Sequence, residues 1–321
     1  MEVRTVILAA WALATLACAS ACHRSENDTS VIGSTSIQPF AEMLAEEFKK
    51  VKPDRSVEIQ GMGSKVGLEA VKNNLADIGM CSRDLKLDDP DEALCVPVVI
   101  AYDGLAIVVH PDNPIRKLER WQVALIFSGD ITNWKDVGGD DLPIHVITRE
   151  EGSGTREAFV KLVMQEGAKH LPKPLPDGVN AEKLMHNKGR IFTKAVTQES
   201  NGAVMSLVRH DHAGIGYMSL GLVTHDSGLA ALDVDGVTPT RETVRSGVYK
   251  LKRPFLFVFH KDRINDHLVP DGARAFTEYV LSDAGQDLLE REGLVSVPEK
   301  EKTLPWATQQ KATSQQPQAT R

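Results

Sequence analysis

The run Arg149-Glu150-Glu151-Gly152-Ser153-Gly154-Thr155-Arg156 lies between an apolar segment that reads as a strand, residues 144–148, and an amphipathic pattern at Phe159, Leu162 and Val163 that reads as a helix. Small residues at such a junction leave backbone N–H groups open at the helix start. Those first-turn donors have no intrahelical partner, and the helix dipole favours negative charge beside them. Two hydroxyls and an arginine stand within the same stretch. The turn therefore has the composition of an oxyanion site.

Two further turns share this composition. Gly33-Ser34-Thr35-Ser36-Ile37-Gln38-Pro39 follows Val31 and Ile32 and precedes a helical stripe of Phe40, Met43, Leu44, Phe48 and Val51. Gly61-Met62-Gly63-Ser64-Lys65 follows the alternating Val57 and Ile59 and precedes Leu68, Val71 and Leu75. Any one of them alone is compatible with an ordinary helix cap, because Ser and Thr are favoured there. Three together, one with Arg149, favour convergence on a single small anion.

The chain has 321 residues, room for two domains of ordinary size, and a net charge of −7. An acidic chain is a poor nucleic-acid binder, since phosphate contacts need a basic face. It also repels a small anion at long range, so local donors must do the holding. Hydrogen bonds to charged groups contribute roughly 1.5–3 kcal/mol each. A handful is enough for micromolar affinity.

Arg4 and the apolar residues 6–17 read as a secretory signal, too short to span a bilayer well. Ala19-Ser20-Ala21-Cys22 fits lipoprotein processing at Cys22, and also plain cleavage after Ala-x-Ala. The expectation is a lipoprotein-type signal peptide at 1–22 and a tether at 23–28. Cys81 and Cys95 remain in the mature chain; export permits a disulfide between them, and two buried thiols fit equally well.

Strands expected at residues 31–33, 57–60, 78–81 and 96–102 alternate with helical or loop segments, which points to a mostly parallel sheet with helices on both faces. A second α/β unit follows, with strands at 144–148 and 215–218. Lys252-Arg253-Pro254-Phe255-Leu256-Phe257-Val258-Phe259-His260 reads as a hydrophobic strand leading into the last helices. The tail from Glu299 has few apolar residues and is expected to be disordered.

Taken in order, several motifs resemble one family. They are Gly33-Ser34-Thr35-Ser36, Gln60-Gly61-Met62-Gly63-Ser64, Ala76-Asp77-Ile78-Gly79-Met80-Cys81-Ser82-Arg83, Asp103-Gly104, Ile126-Phe127-Ser128-Gly129, Thr132-Asn133-Trp134, the Arg149–Arg156 run, Ser200-Asn201-Gly202-Ala203 and Gly214-Ile215-Gly216-Tyr217. From about residue 29 to 297 the chain resembles the phosphate-specific substrate-binding proteins of bacterial ABC transporters (PstS-like). The resemblance implies an α/β, type II, two-lobe periplasmic-binding-protein fold. Each lobe is a mixed sheet flanked by helices, with the ligand cleft between them. Lobe one would be 29–102 plus 252–297, lobe two 103–251, and 298–321 a disordered tail. The lobes would close over ligand by hinge motion.

Carried over, the resemblance implies phosphate contacts from Ser34, Thr35, Ser36, Ser64, Ser82, Arg149, Ser153, Gly154 and Thr155. Arg83 and Asp103 are further candidates, Arg83 either as a second clamp or as a lobe-to-lobe salt bridge. Two positions depart from the family pattern. Ser64-Lys65-Val66 replaces a small-residue turn, and Ser82 stands where some members carry aspartate. A carboxylate there would accept the proton that phosphate keeps at neutral pH and would repel sulfate. Here the acceptor would be the Ser82 hydroxyl, Asp103 or a backbone carbonyl.

Other chemistry has little support. Gly61-Met62-Gly63-Ser64-Lys65-Val66-Gly67 misses the dinucleotide spacing by one residue, and Gly-x-Ser-x-Gly is absent. His210-Asp211-His212, the densest His/Asp group, reads as a polar loop before Ala213-Gly214. The expected protein is a non-enzymatic receptor for inorganic phosphate that serves an ABC permease. It would be periplasmic or surface-exposed, monomeric and lipid-anchored, with no cofactor, no metal and no nucleic-acid partner. A receptor for sulfate or molybdate, or a phosphate sensor without a transport role, are the alternatives.

Overall fold

The computed structural model describes residues 28–172 and 189–307. The signal segment, Cys22, nearly all of the tether and the tail beyond 307 lie outside the described residues. The strands are β1 (Asp28–Gly33), β2 (Ser56–Gly61), β3 (Ile78–Cys81), β4 (Cys95–Val109), β5 (Lys117–Leu118), β6 (His145–Arg149), β7 (Val196–Gln198), β8 (Gly214–Ser219), β9 (Ala230–Ala231), β10 (Asp233–Val234) and β11 (Lys252–His260). The helices that matter for the site are α1 (Gln38–Val51), α2 (Ser64–Lys72), α3 (Arg120–Ser128), α4 (Gly154–Phe159) and α5 (Asn201–Arg209). Two more, α6 (Asp271–Leu281) and α7 (Asp283–Arg291), close lobe one.

The main strand path runs β2-β1-β3-β11-β4-β8-β6-β7. β1 is parallel to β2 and β3, whereas β11 is antiparallel to both β3 and β4. The expected mostly parallel sheet is therefore mixed. The reason is that β11 returns from the second lobe and enters between β3 and β4 in the opposite direction. β4 also runs past its expected end at residue 102. Cys95 to Gly104 pair with β11, and Leu105 to Val109 pair with β8, so one continuous strand passes from lobe to lobe.

Each lobe has its own core. In lobe one, α1 lays Phe40, Ala41, Leu44 and Phe48 against the sheet, and Phe48 meets Phe276 of α6 at 5.4 Å between rings. β11 contributes Phe255, Phe257 and Phe259 to the same core. Fully burying such a side chain is worth roughly 1.5–3 kcal/mol, which is why the apolar stripe of α1 decides which way the helix faces. In lobe two, Leu105, Ile107, Phe127, Trp134, Phe159 and Tyr217 form the second core.

The tail is not wholly disordered, contrary to expectation. Trp306 is buried edge-on against Phe259 at 5.3 Å, and its indole N–H donates to Glu278 at 3.0 Å. A single aromatic suffices because it joins an existing core and needs none of its own. Cys81 and Cys95 are free thiols in one apolar cluster with Leu68, Leu256 and Val258. Burial pushes both to about 11, so they stay protonated and unreactive.

Candidate anion-binding site

Four helices start at one place between the lobes. The turn Gly33–Ile37 opens α1, Gly63 caps α2, Ser153 caps α4 and Ser200 caps α5. Gly63 has φ +92°, a left-handed conformation that favours glycine. At Gly154 the constraint is proximity. A Cβ there would lie 2.2 Å from Ser64 Oγ and 2.9 Å from Ser64 Cβ, across the lobe boundary. The starts of α2 and α4 are thus pressed together, which brings the positive ends of both helices to one place.

The side chains between these helix starts form a connected ring. Ser34 Oγ donates to Ser82 Oγ at 2.9 Å, and Ser82 N–H donates to Ser64 Oγ at 3.2 Å. Ser36 and Thr155 hydroxyls meet at 2.6 Å across the lobes. Arg149 Nη2 donates to Thr35 Oγ1 at 3.1 Å. Apart from Thr35, the ring is closed to solvent: Ser34, Ser36, Ser64, Ser82, Ser153, Thr155 and Arg149 are each at most 2 % exposed. The structure therefore brings together all nine principal residues expected from the sequence. The Ser153 hydroxyl is already committed as an N-cap, accepting from Arg156 N–H at 3.3 Å, which leaves its hydroxyl hydrogen and backbone for a ligand.

Arg149 is held with care. Its backbone N–H donates to Tyr217 OH at 3.2 Å, and that hydroxyl also meets Thr148 Oγ1 at 2.8 Å. The Tyr217 ring stacks on Phe159 at 4.0 Å, and burial raises its phenol, which stays protonated. Glu150 takes Nε and Nη2, each at 2.8 Å. Nη1 is buried and has no hydrogen-bond partner. An unpaired buried guanidinium nitrogen is costly unless something negative completes it.

Two ring members are not legible in the sequence. Arg253, at the start of β11, donates from Nη1 to Thr155 Oγ1 at 2.8 Å and from Nη2 to Ser36 Oγ at 3.3 Å. The signal available was a cation opening an otherwise apolar strand. Asn201, at the start of α5, donates to Ser36 Oγ at 2.9 Å and Thr35 Oγ1 at 3.3 Å. It stood in a quoted motif, but as an N-terminal helix residue it is indistinguishable from a structural one.

The two further candidates behave differently. Asp103 belongs to the ring through Arg253, whose Nε and Nη2 donate to Oδ2 at 2.9 and 2.8 Å. Its Oδ1 accepts a long bond, 3.4 Å, from Gly221 N–H. Burial pushes the Asp103 carboxyl up from its usual value, against the pull of Arg253. Arg83 is not in the ring, which corrects its candidacy as a second clamp. Its guanidinium grips Glu92 at 2.8 and 2.7 Å within lobe one, and Nε makes a charge contact of 3.1 Å with Glu157 of α4. Two carboxylates thus face its guanidinium, one from each lobe.

Charge balance sets what the ring can hold. Arg149 is matched by Glu150 and Arg253 by Asp103, so the site is formally neutral before a ligand enters. Helix starts, hydroxyls and the free Nη1 supply the attraction. That arrangement suits a compact oxyanion whose charge is spread over several oxygens.

Such a cleft between two α/β lobes, joined by crossing strands, defines a two-lobed solute-binding protein of the type II periplasmic-binding fold. A family profile described as the PBP superfamily domain matches residues 20–284. A substrate-binding protein assigned to phosphate ABC transport in Clostridium perfringens, solved with bound phosphate, is 36 % identical with a TM-score of 0.72, covering 85 % of this chain and 100 % of that one. An ABC-type phosphate transport receptor from Vibrio cholerae is 31 % identical with a TM-score of 0.63, over 84 % and 100 %. The phosphate-binding protein PstS of Borreliella burgdorferi is 27 % identical over 86 % of this chain and 93 % of its own. The chain belongs to the PBP superfamily and, within it, to the phosphate-binding family of ABC-transporter substrate-binding proteins.

Proposed function

We propose that this protein captures inorganic phosphate in the cleft between its lobes and delivers it to the permease of an ABC transporter, without catalysing a reaction. The observation that carries the reading is the ring itself, with Arg149 Nη1 buried and unpaired among seven hydroxyls and four helix starts. The contact residues are Ser34, Thr35, Ser36, Ser64, Ser82, Arg149, Ser153, Gly154 and Thr155, joined by Asn201 and Arg253. The lobes are 29–102 plus 252–297 and 103–251, an assignment supported by the two separate cores. Ser82 and Asp103 are the acceptors proposed for the ligand proton. Asp103 is buried at the ring, its Oδ1 accepts a long bond from Gly221 N–H, and burial raises its carboxyl, which supports that role.

Calorimetric titration of protein stripped of ligand by unfolding and refolding tests this. Micromolar or tighter phosphate binding with sulfate silent is expected. Equal binding of both would mean that neither Ser82 nor Asp103 accepts the proton, and silence to both would overturn the assignment.

We also propose that the mature protein is exported, lipid-anchored through Cys22 and monomeric. No helix among the described residues is long and apolar enough to cross a membrane. Cys22→Ser should release the protein from membranes; continued retention would remove the anchor from that residue.

A further inference from the structure

At the end of lobe two away from the cleft, β4 stops at Val109 and β8 starts at Gly214, with Val109 paired to Ile215. That register sets His110 beside His212, although about a hundred residues separate them in sequence. Their rings lie 3.8 Å apart between centroids, tilted by 39°. Asp112 reaches both. Its Oδ2 is 3.8 Å from His110 Nδ1 and 3.9 Å from His212 Nδ1. The three ligating atoms fall within 4.8 Å of one another.

The chemistry of this group is that of a cation site. His110 Nδ1 accepts the backbone N–H of Asp112 at 3.1 Å, an interaction that uses the Nδ1 lone pair and that a metal bound at this nitrogen would replace. Two neutral imidazoles and a carboxylate suit borderline divalent ions of the Zn2+ class, with water in the fourth position. Bonds of about 2.0–2.1 Å place tetrahedral ligand atoms roughly 3.3 Å apart. The two separations from Asp112, 3.8 and 3.9 Å, need to shrink by about half an ångström to reach this, within a group that spans at most 4.8 Å. Asp112 and His212 side chains are 73 % and 65 % exposed and free to make that adjustment, while His110, 11 % exposed, is the fixed member. Asp211 does not compete, being engaged by His145 at 2.8 Å and by Ala213 N–H at 2.9 Å.

We propose that His110, Asp112 and His212 form a site for a divalent transition-metal ion that clips the loop after β4 to the loop before β8. It does not depend on the phosphate reading, since no ring residue takes part.

The test is calorimetric titration of untagged, chelator-stripped protein with Zn2+ in phosphate-free buffer, alongside His212→Ala. One Zn2+ per chain is expected for the wild type. Loss of one ligand should weaken it more than about tenfold, and phosphate affinity should be the same in both proteins. Co2+ gives a second readout: a tetrahedral visible absorption in the wild type that Asp112→Asn abolishes. No Zn2+ binding by the wild type, or equal binding by His212→Ala, would overturn the proposal.

Discussion

At the scale of single residues, Arg149 is where local sequence and long-range packing meet. Its position at the end of β6 follows from the strand, but its rigidity comes from Tyr217, Glu150 and two carbonyls, at Gln198 and Glu199, each 3.2 Å away. Only Nη1 remains for a ligand. Arg149→Ala should weaken phosphate binding more than about tenfold, a loss above roughly 1.4 kcal/mol. Titration calorimetry measures it, and unchanged affinity would remove Arg149 from the site. Arg253 was less legible. A cation before Pro254 looks like a strand-edge charge until Asp103 is brought opposite it, and the β11–β4 register that does so joins residues 150 apart.

At the scale of elements, the site is made from helix starts, and helix starts are written locally. Ser153 and Ser200 are side-chain caps, and glycines open the turns before α1 and α2. What the local signals omit is that α2 and α4 face each other. Gly154 carries that information, because its missing Cβ lets α4 approach Ser64. The contact runs across the boundary between the lobes. Gly154→Ala should therefore reduce phosphate affinity more than about tenfold while leaving the ligand-free unfolding temperature nearly unchanged. A large drop in that temperature would mean that Gly154 is needed for the fold of lobe two and not for closure.

At the scale of the whole molecule, the lobes are also joined outside the ring. Glu157 on α4 faces Arg83 and Lys86 of lobe one, Lys161 meets Asp84 at 2.8 Å, and Lys65 N–H donates to Gly152 O at 3.0 Å. Glu92 holds the Arg83 guanidinium in place beside lobe two. Exposed pairs such as Lys161–Asp84 contribute little, about 0–1 kcal/mol; the Glu157 group is more sheltered. Glu157→Gln should speed phosphate release roughly two- to fivefold, by the range measured for such pairs. Stopped-flow release rates at low and high salt check this, with the salt dependence shrinking in the variant. Unaltered release would mean the ring alone sets the closed state.

By itself the sequence determined the oxyanion turns, the apolar stripes and the order of strands and helices, because caps, glycines and hydrophobic periodicity act within a few residues of chain. Resemblance extended this to a two-lobe fold. Only the tertiary structure decided that β4 serves both lobes, that Arg253 and Asn201 complete the ring, that Arg83 meets Glu92 in its own lobe and Glu157 in the other, and that Trp306 packs. Each of those depends on strand register or on a contact across the cleft. Such contacts join residues tens to hundreds of positions apart, where side-chain type carries no record of its partner.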